Sequence, residues 1–169
     1  MFFTTHEFPK GKLLFVKSGK GLVLAHYLRT PGGIEKALEP LHRGGADLEH
    51  RDEAFTLEKR VFDRYFDGKR EDFDSLSLDY CLGTPYQRRV WEAARSIAYG
   101  ETAAYKDVAL MLMSRGFQSV GQALNRNPLI IVVPCHRVIG ADGGLGGFGA
   151  GLELKRYLLG LEHIPIPSL

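Results

Sequence analysis

The spacing of apolar positions divides the 169-residue chain into two halves of different rhythm. In the first, residues 13–16 and 22–28 are strand-like apolar runs on either side of the turn Ser18-Gly19-Lys20-Gly21. Residues 52–66 then set Phe55, Val61, Phe62, Tyr65 and Phe66 at helical spacing, with Gly68 just beyond as a stop. Leu76, Leu78 and Tyr80 alternate as in a strand. These elements predict a small α/β domain over residues 1–81. It carries no chemical constellation and is read as structural.

The second half, residues 82–169, is patterned mostly for helices. Thr84-Pro85-Tyr86-Gln87 reads as a capping box with proline at the first helical position. The helix it opens puts Val90, Trp91, Ala94, Ile97 and Ala98 on one face, and Gly100 ends it. A second helix begins after Thr102 and buries either Tyr105 or Val108, with Ala109 and Leu112. Ser114-Arg115-Gly116 turns the chain into a third helix over about 117–126. Two short helices joined by a tight glycine-containing turn make a helix-turn-helix. Phe117, Val120 and Leu124 mark the third helix's expected buried stripe; Gln118, Gly121, Gln122 and Asn125 mark its outer one. Small residues there (Ser119, Gly121, Ala123) suit close approach to a groove. An ordinary amphipathic surface helix has the same pattern.

After Asn127-Pro128, residues 129–133 form an unbroken apolar run ended by Pro134, which predicts a short buried strand. Cys135, His136 and Arg137 follow at once. A thiol at the end of a rigid segment beside an imidazole has the makings of an activated nucleophile, because the thiolate is the reactive form. It equally fits a small buried hydrophobe. Residues 140–151 hold seven glycines in twelve positions, with Asp142 and Phe148 among them. No Gly-Lys-Ser/Thr follows, so this is not a phosphate-binding loop; it suits close passage by a flat ligand. A closing helix over 152–161 carries Lys155 and Arg156 and leads to Glu162.

Composition narrows the function classes. The chain is 44% hydrophobic and 25% charged, enough for a core. No apolar run reaches the roughly 20 residues that cross a bilayer, and the first ten residues lack a signal-peptide layout. A cytoplasmic protein with no membrane association is expected. Two cysteines, Cys81 and Cys135, are too few for a disulfide scaffold, and no Cys/His spacing resembles a zinc site. Cys81, with no histidine nearby, is read as structural. Residues 1–81 hold 13 basic and 14 acidic side chains and residues 82–169 hold 9 and 6, so the second half is mildly basic. Of five Asn and Gln residues, four (Gln118, Gln122, Asn125, Asn127) fall within ten positions. The low amide content hints at a heat-adapted source.

The string Pro134-Cys135-His136-Arg137-Val138, after Asn127-Pro128 and an apolar run, resembles the active-site motif of the O6-alkylguanine-DNA alkyltransferases. The likeness extends upstream through Tyr99-Gly100-Glu101-Thr102 and Ala104-Tyr105, and downstream through the glycine loop to Leu158-Leu159 and Glu162. It covers about residues 82–163. The resemblance implies a ribonuclease H-like N-terminal α/β domain before the helix-turn-helix domain, an α+β arrangement overall. It implies irreversible, single-turnover transfer of an alkyl group from O6-alkylguanine, and from O4-alkylthymine, in double-stranded DNA to Cys135. His136 matches the histidine that draws the thiol proton through a water, and Glu162 the carboxylate that orients it. Asn127 matches a hinge asparagine, and Tyr105 a tyrosine that helps rotate the target nucleotide and hydrogen-bonds the departing base. The third helix would enter the minor groove while the target base flips out.

By the same resemblance, Asn125, Val138, Leu145, Gly146, Phe148 and Gly149 would line the substrate pocket. Lys106, Arg115, Gln118, Ser119, Gly121, Gln122 and Arg126 would meet DNA. Gln118 stands where most relatives carry an arginine that fills the gap left by the flipped base, with Arg115 as an alternative. Phe148 stands where many have tyrosine. No metal or other cofactor is implied, and a monomer is expected. Two rivals remain: a non-catalytic DNA-binding module such as an alkyltransferase-like damage sensor, which would lack the acceptor cysteine, and a cysteine hydrolase, which would need no helix-turn-helix.

Overall fold

In a computed structural model, which describes residues 1–30, 32–114 and 116–165, the chain forms two compact units, Met1–Leu82 and Gly83–Leu169. The first is a four-stranded sheet with helices. Strands β1 (Phe2–Phe8), β2 (Gly11–Ser18) and β3 (Gly21–Leu28) make an antiparallel meander. The two-residue β4 (Glu49–His50) pairs parallel to β1, giving the order β3-β2-β1-β4. Leu13, Leu14, Phe15 and Val16 are all fully buried, because β2 is covered on both faces. Leu14 and Val16 pack in one cluster with Leu38 and Leu41 of α1 (Gly33–Arg43). Phe15 meets Phe62 of α2 (Thr56–Phe66), ring centroids 4.7 Å apart. A strand buried on both sides reads as an unbroken apolar run, which is why β2 is legible in the sequence.

Three expectations for this unit need correction. Residues 52–66 split into a 3-10 turn, Asp52–Phe55, and then α2. Leu76, Leu78 and Tyr80 form no strand: a single bridge joins Leu22 to Leu78, carried by backbone bonds from Leu22 N to Ser77 O and from Asp79 N to Leu22 O. One bridge at a sheet edge needs no partner of strand length. Finally, β1 and α1 have no counterpart in the sequence reading. β1 lacks clean alternation, and Pro40 interrupts the pattern of α1.

In the second unit, α3 (Pro85–Arg95) opens with the expected capping box: Thr84 Oγ1 accepts from Gln87 N and Gln87 Oε1 accepts from Thr84 N. It ends at Arg95 rather than at Gly100. Trp91, fully buried, donates its indole N–H to Ala123 O at 2.9 Å and so ties α3 to α5 (Phe117–Asn125). Only glycine fits at position 83, where a Cβ would fall 2.3 Å from the Trp91 ring. α4 (Tyr105–Met111) and α5 are the helix-turn-helix pair. Of the two candidates in α4, Val108 is the buried one, with Ala109; Leu112 lies just past the helix and is only half-buried. α6 (Leu152–Leu161) closes the unit. Among the described residues, no helix is long and apolar enough to cross a membrane.

Two elements of this unit differ from expectation in ways that shape the site. Residues 129–133 are buried as foreseen but form a tight turn, not a strand. Ile131 takes φ 76°, and Val133 N bonds back to Leu129 O at 2.8 Å. Pro128 and Pro134 restrict the backbone on either side of the run, and the turn closes within it. The other difference is Phe117. Assigned to the buried stripe of α5, it is 55% exposed, while Val120, Ala123 and Leu124 are buried.

Candidate active site

The apolar turn at 129–133 is held by one side chain. Asn127 Nδ2 donates to Val133 O at 2.9 Å, and its Oδ1 accepts from Leu129 N at 2.9 Å. The amide thus supplies the bonds a strand partner would have made. The same Nδ2 lies 3.1 Å from Cys135 Sγ, so the residue that closes the turn also aims a donor at the sulfur.

Cys135 begins a 3-10 turn, Cys135–Arg137, that leads into β6 (Val138–Ile139). β6 pairs parallel with β5 (Ala103–Ala104), the two residues immediately before α4. This short ladder is what brings Tyr105, at the start of α4, to the cysteine. Sequence spacing alone sets the two residues 30 positions apart.

Behind the cysteine sits a buried ionic cluster. His136 Nε2 and Glu162 Oε1 are 2.7 Å apart, both side chains wholly buried. Arg137 Nε donates to Glu162 Oε2 at 2.8 Å and Nη2 to Oε1 at 3.1 Å, while Nη1 donates to Ile97 O at 2.7 Å. Gly100 N–H also points to Glu162 Oε2, at 3.3 Å. Burial alone would raise the Glu162 pKa. The hydrogen bond and charge of His136 and of Arg137 outweigh it and bring the carboxyl down to about 2. Burial lowers the His136 pKa despite the opposing pull of Glu162, so the imidazole is neutral near pH 7.

The Cys135 thiol is pushed up to about 11, chiefly by burial, with the Asn127 hydrogen bond and the Lys155 charge working the other way. A resting thiol follows, to be deprotonated by a base rather than to stand as thiolate. Lys155 is fully buried, and its Nζ donates to the carbonyls of Val138 (2.6 Å), Leu145 and Gly147 (3.5 Å). Burial draws its pKa down to about 8, with the Cys135 charge pulling the other way. Tyr105 OH donates to Gly147 O at 3.1 Å. The glycine loop is therefore pinned from two sides.

Cys135 opens onto a cavity of about 420 Å³, lined by Tyr105, Phe117, Gly121, Gln122, Leu124, Asn125, Gly147, Phe148 and Gly149. That is within the range of small-molecule pockets, about 300–1,000 Å³. Of the expected pocket residues, Asn125, Phe148 and Gly149 line it. Val138, Leu145 and Gly146 do not. Val138 is buried, the carbonyls of Val138 and Leu145 are taken by Lys155, and Gly146 (φ 62°) sits against the Tyr105 ring. A Cβ on Gly146 would fall 3.0 Å from that ring. Of the expected DNA-facing residues, Lys106, Gln118, Ser119, Gln122 and Arg126 are exposed and Gly121 is half-buried beside the Tyr105 ring. The Ser119 hydroxyl is engaged by Tyr86 OH (2.7 Å) and Gly116 O (2.6 Å). Arg115 lies outside the described residues.

Sequence reasoning missed Lys155, Arg137 and Phe117. Lys155 left a signal: on α6 it shares the buried face with Leu154, Leu158 and Leu159, where a charge needs a reason. Arg137 stands inside the Pro134–Val138 motif, though sequence reasoning assigns it no role there; Phe117 left no signal, since only the fold decides what lies beside it.

Comparison with known proteins places these features in company. Residues 1–80 match the family model for the 6-O-methylguanine DNA methyltransferase ribonuclease-like domain, and residues 85–164 that for its DNA-binding domain. The chain is 39% identical over 165 residues to a methylated-DNA–protein-cysteine methyltransferase of Methanosarcina barkeri, covering 96% of this chain and 98% of the relative. A Mycobacterium leprae protein of the same description is 40% identical over 163 residues, covering 95% and 92%. Among solved structures, that of Mycobacterium tuberculosis OGT in complex with DNA superposes with a TM-score of 0.82 at 34% identity, covering 96% of this chain and 92% of that one.

Proposed function

The chain belongs to the 6-O-methylguanine DNA methyltransferase family and repairs DNA by moving the methyl group of an alkylated guanine onto a cysteine of its own, and we propose that this cysteine is Cys135. The observation that carries the assignment is the cavity itself. Cys135 Sγ opens onto its floor with an amide donor at 3.1 Å on one side and a buried imidazole–carboxylate pair next in the chain. Cys81, the other cysteine, is exposed and does not line that cavity.

Each group takes a separate part of the step. His136 Nε2 is committed to Glu162, so the thiol proton goes to Nδ1, through a water. Glu162, ionised and fixed by Arg137, stabilises the imidazolium that forms. Asn127 Nδ2 donates to the emerging thiolate, a bond that strengthens as charge grows on sulfur. Sγ then attacks the alkyl carbon. A C–S bond forms, the C–O6 bond breaks, and its electron pair leaves on the guanine. Burial, with the nearby thiolate charge, raises the Tyr105 pKa and keeps its phenol protonated, and its one proton turns from Gly147 O to the departing base. The thioether product has no route back to the thiol, so each molecule acts once.

A cysteine only 5% exposed within a cavity is out of reach of a base inside a duplex. The target nucleotide must rotate out of the stack, and we assign minor-groove entry of α5 to that task. O4-alkylthymine, which presents the same alkyl–oxygen bond, is a second substrate in this reading. Work in the cytoplasm follows from the chemistry, since a reducing compartment keeps Cys135 and the surface Cys81 as thiols. The deciding experiment is a mass spectrum of the intact protein after exposure to duplex DNA carrying O6-methylguanine. One methyl group, mapped to Cys135, is the expected result. An unchanged mass, or a methyl on Cys81, overturns the assignment.

A further inference from the structure

Gln118 stands on the outer face of α5, and the family resemblance points to its position for whatever fills the gap behind a flipped base. The structure directs attention one residue earlier. Phe117 opens α5 with its ring 55% exposed, although helical spacing would have sent it to the core with Val120 and Leu124. It lines the cavity that holds Cys135, on the same stretch of helix as Gly121, Leu124 and Asn125; Gln118 is not among the lining residues. The other large, well-exposed apolar side chains of the second unit lie apart from that cavity. Met111 and Met113 line a separate groove with Arg88 and Arg89.

The exposed ring leaves apolar area that a partner gains by covering. At this place the cover has a definite chemistry. A nucleotide that swings toward Cys135 leaves an unstacked step in the duplex and an orphaned partner base. Minor-groove proteins insert apolar side chains at such steps. A flat ring offers a stacking face to whichever base borders the gap, without regard to sequence. The neighbouring Gly121 adds no side chain beside Phe117 that would hold the groove away. A neutral glutamine brings hydrogen bonds but no flat apolar surface.

We propose that Phe117, rather than Gln118, is the wedge that enters the duplex where the alkylated base leaves it. This rests on the DNA-repair reading above. Phe117 stacks on the base pair beside the vacated step; Gln118, next on the helix, is left to meet the sugar–phosphate edge or the orphaned base. The chain thus replaces a charged gap-filler by an aromatic one.

The test compares two substrates under single-turnover conditions. Wild type, Phe117→Ala, Phe117→Trp and Gln118→Ala are each reacted with a duplex carrying one O6-methylguanine and with free O6-benzylguanine, which needs no flipping. Because the ring also lines the cavity, Phe117→Ala is expected to slow the free-base reaction to some degree, and to slow the duplex reaction about 10-fold or more beyond that, as loss of one base–ring stack predicts. Phe117→Trp should keep the duplex rate, and Gln118→Ala should slow it less than Phe117→Ala does. Complete alkylation by the free base, at whatever rate, also shows that each variant is folded. Equal slowing of both substrates by Phe117→Ala makes the ring a pocket wall and overturns the proposal. So does a larger duplex loss in Gln118→Ala. If wild type gains no methyl from the duplex, the repair reading fails instead, a result separate from either.

Discussion

Asn127 Nδ2 sits 3.1 Å from Cys135 Sγ and 2.9 Å from Val133 O, so one amide group both steadies the turn before the cysteine and greets its sulfur. Architecture and reactivity are therefore joined in a single side chain. Asn127→Ala should show this double loss. Leu129 N–H and Val133 C=O would be left without their partner in a dry interior, at about 1–3 kcal/mol each. The urea midpoint should fall accordingly. Transfer from free O6-benzylguanine should slow as well, measured in the folded fraction. A variant destabilised but fully reactive would confine Asn127 to structure.

Cys135→Ser should abolish transfer, because a hydroxyl is a far poorer nucleophile than a thiolate. Affinity for a methylated duplex, followed by fluorescence anisotropy, should stay near wild type, since the sulfur lies at the cavity floor rather than on the outer face of α5. Cys81→Ser should change neither. Any methyl gained by the Cys135→Ser protein would show that another residue is the acceptor.

His136→Ala should cut the rate constant for alkylation about 100-fold or more, the usual contribution of a positioned general base. Raising the pH should recover part of the loss, because a thiol at about 11 ionises progressively without help. A pH profile identical to wild type would remove His136 from the proton path.

Acid should weaken the second unit through Glu162. Its folded pKa, about 2, lies below the ordinary 4.5, so the unfolded chain takes up the proton first. The contribution is complete above pH 4.5 and is lost as pH falls toward 2, on the order of 3 kcal/mol. His136 acts in the same direction from below about pH 6.5, its folded pKa being lowered by burial. Unfolding midpoints across pH 3–7 should therefore descend on the acid side, and Glu162→Gln should flatten that descent. A flat wild-type profile would mean that Glu162 is not held ionised as described.

Lys155→Met should slow Cys135 alkylation by free base and by duplex to the same degree. It removes the donor shared by the carbonyls of Val138, Leu145 and Gly147, and with it the cation nearest the thiolate. Equal losses on the two substrates separate this loop-positioning role from the larger duplex loss assigned to Phe117. A loss seen only with duplex DNA would move Lys155 out of the pocket's support.

What the sequence determined by itself was whatever is written in short-range spacing. The capping box at Thr84, the helix-turn-helix periodicity of residues 102–126 and the unbroken run of β2 all follow from local pattern, and local pattern is enough for them. Cys135, His136 and Asn127 were legible for a related reason: they stand close together in one motif. The tertiary structure decided everything that depends on which distant segments meet. Residues 129–133 carry the composition of a buried strand, but two flanking prolines and the Asn127 side chain fold them into a turn. Lys155 lies 20 positions from Cys135, yet three carbonyls recruit it into the loop's support. Glu162 becomes a partner of His136 only because α6 packs against the 3-10 turn Cys135–Arg137. Phe117 has the periodicity of a core residue, and the packing of α5 against α3 through Trp91 and Ala123 leaves it outside, at the mouth of the cavity. Helical periodicity names a face; only the neighbours say how far along the helix that face is covered.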